Sequence, residues 1–130
     1  MSYVYFNPNP KGKMVGDCVI RALSKILGYD WDRCYAEIVA EGFMLCDMPS
    51  SNYVWGSYLK HKGFVRMNLP DTCPECYTLE KFCADHPRGE FIVATGTHVI
   101  AVVNSNVYDS WNSLDEIVTY YWRKGDDDNG

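Results

Sequence analysis

The sequence has no apolar run long enough to cross a bilayer and no excess of positive charge. Its longest apolar stretches, such as residues 99–103, have the length of a strand, whereas a membrane-spanning helix needs about 20 apolar residues. Lys and Arg number 12 against 17 Asp and Glu, which gives a net charge of -5. This balance excludes a nucleic-acid binder that relies on a basic face. We therefore expect neither a membrane nor a nucleic acid as a partner.

The N-terminal residues also lack the features of a secretory signal. Residues 1–8 show no basic start followed by a long apolar segment, so we expect a cytoplasmic protein. Thiols stay reduced in that compartment, and the six cysteines are therefore expected to be free. If one of them is a nucleophile, the remaining five cannot all pair within one chain. The sequence thus predicts no disulfide framework, and we expect no cofactor.

The composition is that of a folded domain. With 130 residues, 47% hydrophobic and 15% aromatic, the chain is long enough to bury a core of its own. We predict one domain over residues 1–124, beginning with an irregular loop over residues 1–16 that is rich in Pro, Asn and Gly. Residues 125–130 contain three consecutive aspartates and are predicted to form an acidic disordered tail.

Apolar residues at helical spacing predict four helices before residue 90. The first runs from about Asp17 to Leu27 and stops at Gly28, with Arg21 off its apolar stripe. The expected start and stop residues of the other three are Asp30 and Gly42, Ser50 or Ser51 and Gly63, and Thr78 and Pro87.

From Glu90 onward the pattern changes to β-branched and aromatic segments separated by turn residues. Strands are predicted over residues 91–95, 98–103, 107–111 and 117–122, with a shorter strand over 64–69. Helices followed by an antiparallel sheet make an α+β domain.

Cys18 lies at the predicted start of the first helix, directly after Gly16 and Asp17. Free backbone N–H groups and the helix dipole favour a thiolate at this position. A thiolate is the nucleophile of acyl transfer, and its own backbone N–H can help to hold the oxyanion. The alternative is a buried core cysteine, because free cysteine is among the most buried residue types.

A hairpin relates His98 to Asp109. A two-residue loop at Asn104-Ser105 or Ser105-Asn106 makes the numbers of paired residues sum to an odd value. Asp109 then lies on the same sheet face as His98, diagonally across the ladder. A three-residue loop without a bulge would place the two on opposite faces, so the triad depends on the length of this turn.

These residues resemble the motifs of papain-like cysteine peptidases. That family has a Cys at the start of a buried central helix, then a His on an apolar strand, then an Asn or Asp on the next strand. Gly16-Asp17-Cys18 is similar to its Gly-Ser-Cys, and the stretch from His98 to Val102 is similar to its His-Ala-Val-Ala. Asp109-Ser110-Trp111 resembles its Asn-Ser-Trp with Asp in the first position.

The resemblance implies a papain-like fold, with N-terminal helices packed on a C-terminal antiparallel sheet, and a thiol hydrolase. Cys18 would be the nucleophile, His98 the general base and acid, and Asp109 the residue that orients the imidazole. Trp111 would shield the Asp–His bond from water. The expected substrate is a peptide or protein, cleaved at a peptide, isopeptide or related amide bond.

The chain departs from the family at the oxyanion site. Papain has a Gln about six residues before its Cys, where this chain has Gly12. The entry loop offers an amide at Asn7 or Asn9 and a cation at Lys11 or Lys13, and of these we favour Asn9. The short chain is closer in size to compact bacterial and phage relatives, such as bacteriocin-leader peptidases and cell-wall amidases, and Asp17-Cys18 is similar to the Asp-Cys of the latter.

Two other functions stay open. The missing Gln motivates a catalytically inactive papain-like module that binds a partner through its cleft. The second is a small zinc-stabilised interaction protein, in which the zinc ligands would be Cys73, Cys76, Cys83 and His86. The two ligand pairs are closer together than the roughly 12 to 20 residues that separate them in zinc ribbons, so we predict no metal.

Overall fold

A computed structural model describes residues 1–70 and 75–125. In this part of the chain the elements follow one another as β1 (Ser2–Tyr5), α1 (Cys18–Leu27), α2 (Trp31–Leu45), α3 (Asn52–His61), β2 (Phe64–Asn68), α4 (Leu79–Asp85), β3 (Glu90–Ala94), β4 (Val99–Val103), β5 (Asn106–Asp109) and β6 (Tyr120–Lys124). The described strands form one sheet in the order β1-β5-β4-β3-β6-β2. The fold class is α+β, as predicted.

The C-terminal strands β3 to β6 pair antiparallel, as predicted, but the sheet as a whole is mixed because it includes a parallel strand from the N-terminal residues. Strand β1 lies within residues 1–16, which were expected to be irregular, and pairs in parallel with β5. The segment is only four residues long, and its pairing partner is about a hundred residues away. Local sequence therefore carries little information on this strand. At the opposite edge, β2 pairs antiparallel with β6.

The helix boundaries follow the capping residues with one exception. Gly28 ends α1 in the left-handed conformation, at φ 70°. Gly42 does not end α2, which continues to Leu45 and is capped by Cys46 at φ 55°. A Cβ on Gly42 would lie 2.8 Å from the carbonyl oxygen of Asp47, so this glycine permits a close backbone approach within the helix. The predicted N-caps that accept a backbone hydrogen bond are Asp30, Ser51 and Thr78.

The sheet is covered on both faces, which explains the unbroken apolar sequence of β4. Val99 and Ala101 belong to a core cluster formed with helices α1, α2 and α3. The alternate residues Ile100 and Val102 belong to a second cluster that includes side chains of α4. Helix α1 packs against β4, so the start of that helix lies over the central strands of the sheet.

The β4–β5 hairpin has the predicted register. Val103 pairs with Asn106 across the two-residue turn of Asn104 and Ser105, whose φ values are 49° and 70°. His98 immediately precedes β4 and Asp109 ends β5. These two positions meet at one end of the antiparallel pair.

Two further predictions concern the C-terminal tail and the membrane. The predicted acidic tail falls on residues 125–130, of which 126–130 lie outside the described residues. The Gly125 N–H donates to the carbonyl of Gly63 at 2.8 Å. Among the helices that the structure describes, none is long and apolar enough to cross a membrane.

Candidate active site

The structure places Cys18 as the first residue of α1, where the helix N-terminus meets a cavity. The side chain is partly buried and remains accessible from that cavity. Asp17 occupies the N-cap position, but its carboxylate binds Arg21 and Trp31 rather than the helix backbone. The backbone N–H groups of the first turn therefore stay available near the thiol, as an oxyanion site requires.

His98 and Asp109 are directly hydrogen bonded. Nε2 of His98 lies 2.7 Å from Oδ2 of Asp109, whose side chain is fully buried. The same carboxylate oxygen accepts a hydrogen bond from the Ser113 hydroxyl at 2.8 Å, and Oδ1 accepts from the Ser110 N–H at 2.7 Å. The orientation of the carboxylate toward the imidazole is thus fixed by three donors.

Cys18 and His98 both line the cavity and lie close enough to shift each other's pKa, that of Cys18 downward and that of His98 upward. Since Nε2 of the ring is bound to Asp109, Nδ1 is the nitrogen left for the sulfur. The structure therefore brings the three predicted catalytic residues together in the order nucleophile, base and orienting acid. A triad requires this arrangement.

Trp111 stacks on the imidazole of His98. The ring centroids are 4.8 Å apart and the ring planes are inclined by 27°. The indole is 43% exposed, so it covers the solvent side of the histidine while its own outer face remains in water. This contact restricts the ring rotation that would break the hydrogen bond to Asp109.

Sequence reasoning missed Arg21. Its side chain is 6% exposed, and its Nη1 donates to Oδ1 of Asp17 at 2.7 Å while Nη2 donates to Oδ1 of Asp109 at 3.2 Å. Trp31 Nε1 donates to the other oxygen of Asp17 at 2.9 Å. A continuous set of hydrogen bonds therefore runs from Trp31 through Asp17, Arg21 and Asp109 to His98. The sequence signal for the Asp17–Arg21 pair was its spacing of four residues, which places both side chains on the same side of a helix.

The charges at the site favour a thiolate–imidazolium pair. Burial alone would raise the pKa of Cys18, but the hydrogen bond with His98, a backbone hydrogen bond from Val99 and the positive charges of His98 and Arg21 lower it below its usual value. Burial alone would lower the pKa of His98, but its hydrogen bonds to Asp109 and Cys18 raise it to about 9. Between these two pKa values the sulfur is negative and the ring positive.

The Asp109 carboxyl stays ionised in this arrangement. Burial acts to raise its pKa, but hydrogen bonds from His98, Ser113 and Ser110 and the charge of His98 outweigh burial and lower it. An ionised, buried Asp109 can therefore hold the imidazolium in place through charge as well as through its hydrogen bond.

A cavity of about 570 Å³ opens beside Cys18 and His98. Most of its wall comes from the start of α1, one side of α2 and the residues around the β3–β4 turn. Its lining is largely apolar and aromatic, and includes Val15, Val19, Ile20, Trp31, Tyr35, Ile38, Val39, Pro49, Trp55, Ala94, Val99 and Tyr120. Such a cavity suits the apolar part of a substrate whose reacting carbon lies at the thiol.

The predicted oxyanion residue, Asn9, lies in the N-terminal loop. Its side-chain oxygen accepts hydrogen bonds from the N–H groups of Lys11 and Lys13, at 2.9 Å and 3.3 Å. Among the described residues that line the cavity, Asn9 is not present. The structure therefore does not bring Asn9 to the wall of the cavity, whereas it brings the helix N-terminus there.

The candidate zinc ligands are only partly described. Cys73 lies outside the described residues, and Cys76 is exposed. Cys83 is fully buried in the core cluster of α4, and burial raises the pKa of its thiol to about 11. His86 stacks on Phe82 with ring centroids 4.0 Å apart. In residues 1–70 and 75–125 no group of three or more His, Cys, Asp or Glu side chains is arranged to hold a metal ion.

Comparisons of the chain with protein-family models, with curated proteins and with solved structures each return no match. The functional conclusion therefore rests on the geometry and chemistry of the site.

Cys18 is expected to be alkylated by iodoacetamide at a pH where an ordinary thiol is inert. The rate follows the thiolate fraction, so it should rise through the lowered pKa of Cys18 and reach its plateau at a lower pH than the rate of a free cysteine does. Labelling between about pH 5 and pH 9, mapped by mass spectrometry with N-acetylcysteine as the reference thiol, measures this profile. Faster labelling of Cys34 than of Cys18 in the folded protein would contradict the prediction, since burial raises the pKa of Cys34.

Proposed function

We propose that this protein is a papain-like thiol hydrolase that cleaves an amide bond through an acyl-enzyme on Cys18. The observation that carries the proposal is the His98 imidazole, which is bound through Nε2 to a buried carboxylate and faces the same cavity as a thiol at a helix N-terminus, whose pKa it lowers. Each part is needed for nucleophilic catalysis by a cysteine, and the three come from separate parts of the chain.

In the first half of the reaction the Cys18 thiolate attacks the carbonyl carbon and forms a C–S bond. The negative charge moves to the carbonyl oxygen, where the backbone N–H groups at the start of α1 are the donors at hand. The His98 imidazolium then gives its proton to the amide nitrogen as the C–N bond breaks. An amine leaves, and a thioester on Cys18 remains.

In the second half a water molecule replaces the amine. Neutral His98 takes a proton from the water as its oxygen attacks the thioester carbonyl, and the C–S bond breaks. The carboxylic acid leaves, and the sulfur again faces an imidazolium. Asp109 keeps Nε2 of the ring in place during both halves and stays ionised.

The cavity indicates the kind of substrate. Its largely apolar wall favours a peptide or protein segment with apolar side chains next to the scissile amide, which can be a peptide, isopeptide or related bond. The mechanism itself does not depend on which of these three bonds is cleaved.

An active-site titration with p-nitrophenyl acetate tests the proposal without knowledge of the natural substrate. We expect a burst of nitrophenolate equal to about one acyl group per chain, followed by slow turnover, because the thioester forms faster than it hydrolyses. Mass spectrometry should find the acetyl group on Cys18. A protein that shows no burst and no acetylated Cys18, although its fold is intact, would be the inactive binding module instead.

A further inference from the structure

Arg21 carries a buried charge for which the proposed reaction has no direct use. Its guanidinium lies inside the molecule between two carboxylates, those of Asp17 and Asp109. Packing does not explain this choice, because replacing buried ion pairs by apolar side chains of similar volume is often neutral or stabilising. The reason for a cation at this position must therefore be sought in what it does to the two carboxylates.

The hydrogen bonds divide the two oxygens of Asp109 between separate tasks. Oδ1 accepts from Arg21 and from the Ser110 N–H, whereas Oδ2 accepts from His98 and Ser113. With Oδ1 held on the Arg21 side, a rotation of the carboxylate away from the imidazole would break contacts at both oxygens. Arg21 thus restrains the carboxylate that is hydrogen bonded to the catalytic ring.

The surrounding charges also require a cation here. Asp17 faces Arg21 from α1, Asp109 from β5, and His98 is reached through Asp109. On the β1 side lies Tyr3, whose pKa is raised first by burial and then by the charge of Asp109, while the charge of Arg21 opposes this rise. Without Arg21, the buried Asp17 carboxylate would lose its cation, and the Asp109 carboxylate would keep only His98 as a positively charged partner.

Arg21 also connects the triad to the substrate cavity. Asp17 and Trp31 both line the cavity, and they are hydrogen bonded to each other at 2.9 Å. The guanidinium therefore joins the cavity wall formed by α1 and α2 to the carboxylate at the end of β5. A lysine has a single nitrogen and no fork, so it cannot satisfy both carboxylates in the same geometry.

We propose that Arg21 is a positioning residue of the site, which keeps the Asp109 carboxylate ionised and turned toward His98 and so maintains the Cys18 thiolate. Its consequence for catalysis rests on the proposed function. Its effect on the thiolate does not, because alkylation of Cys18 needs neither a substrate nor hydrolysis.

The test is the pH profile of Cys18 alkylation by iodoacetamide in Arg21→Met. The pH range over which the alkylation rate of Cys18 rises is expected to lie about one pH unit higher than in the wild type. At pH values below the midpoint, this corresponds to a roughly tenfold lower alkylation rate. Arg21→Lys should give a smaller shift, since it keeps the charge but not the fork. Arg33→Met is the matched control, because Arg33 pairs with Glu37 on the surface of α2 and should leave the profile unchanged.

The double variant Arg21→Met with Asp17→Asn separates positioning from a stranded charge. It removes the cation together with the carboxylate that R21M leaves unpaired, and we expect it to keep the upward shift because Asp109 is still unsupported. A return to the wild-type profile would overturn the proposal, since R21M would then act only through Asp17. Circular dichroism establishes that each variant is folded, and R21K decides the question if R21M is not.

The two proposals fail in different ways. If wild-type Cys18 alkylates with the profile of N-acetylcysteine, the thiolate–imidazolium pair is absent and the proposed function falls. Suppose instead that the wild-type profile lies at lower pH than that of N-acetylcysteine. If folded R21M and R21K then give the same profile as the wild type, only the positioning role of Arg21 is refuted.

Discussion

Cys18→Ala is expected to abolish the nitrophenolate burst while leaving the fold intact. The burst requires a covalent acyl acceptor, and removal of a nucleophile costs a factor on the order of 10³ or more in rate. The stability effect should be small, within about 1 kcal/mol, because one partly exposed sulfur is lost and alanine is a good helix residue. Active-site titration and thermal unfolding of the same preparation measure the two quantities.

Cys46→Ala is the matched control, since it removes an exposed thiol at the end of α2. It should keep the full burst with the acetyl group on Cys18. A burst that survives in C18A and disappears in C46A would mean that the reactive thiol is not the one at the helix N-terminus, and the proposed mechanism would be wrong.

The parts of the fold and site that the sequence predicted depend on short-range patterns. Caps and apolar spacing placed Cys18 at the start of α1, and the two-residue turn at Asn104-Ser105 set the register that relates His98 to Asp109. Both depend on neighbours within about a dozen residues, where backbone geometry leaves few alternatives. A triad could therefore be predicted from three separate short motifs.

What the sequence did not predict depends on contacts between distant segments. Strand β1 is defined by its parallel pairing with β5, and nothing within its four residues specifies that partner. Arg21 was placed only as a residue off the apolar stripe of its helix, because periodicity records which positions are apolar and not which charges find buried partners. The cavity likewise requires α2 and the β3–β4 turn to lie together.

The expected oxyanion residue shows the limit of a resemblance. Asn9 was chosen because it carries an amide in the loop that precedes Cys18. In the structure its oxygen closes a local turn with Lys11 and Lys13. Asn side chains commonly bond to nearby backbone N–H groups, so a position in a Pro- and Gly-rich loop favoured the turn.

His98→Ala and Asp109→Asn are expected to differ in the shape of the pH profile as well as in rate. H98A removes the general acid and base, so the rate of Cys18 acylation should fall by about 10² to 10⁴. The variant should also lose the high-pH limb of the profile, which is the fall in rate as the His98 imidazolium gives up its proton. D109N keeps the imidazole and should lose less. Asp109 is a chief cause of the raised pKa of His98, which reaches about 9, so without that charge the limb should move to lower pH. Cleavage of an activated amide, followed across the pH range, measures the limb, and Asp115→Asn on the surface is the matched control.

The Asn of the papain-like family does not transfer freely to this site. The Asp109 carboxylate accepts four hydrogen bonds, and the groups that donate them belong to Arg21, Ser110, His98 and Ser113. If the amide oxygen of D109N faces His98, its NH₂ group meets the Arg21 guanidinium and the Ser110 N–H, which are donors as well. D109N should therefore unfold at a lower temperature than the wild type, in addition to moving the high-pH limb. A D109N variant with wild-type stability and an unmoved limb would show that Asp109 neither holds the imidazolium nor depends on Arg21.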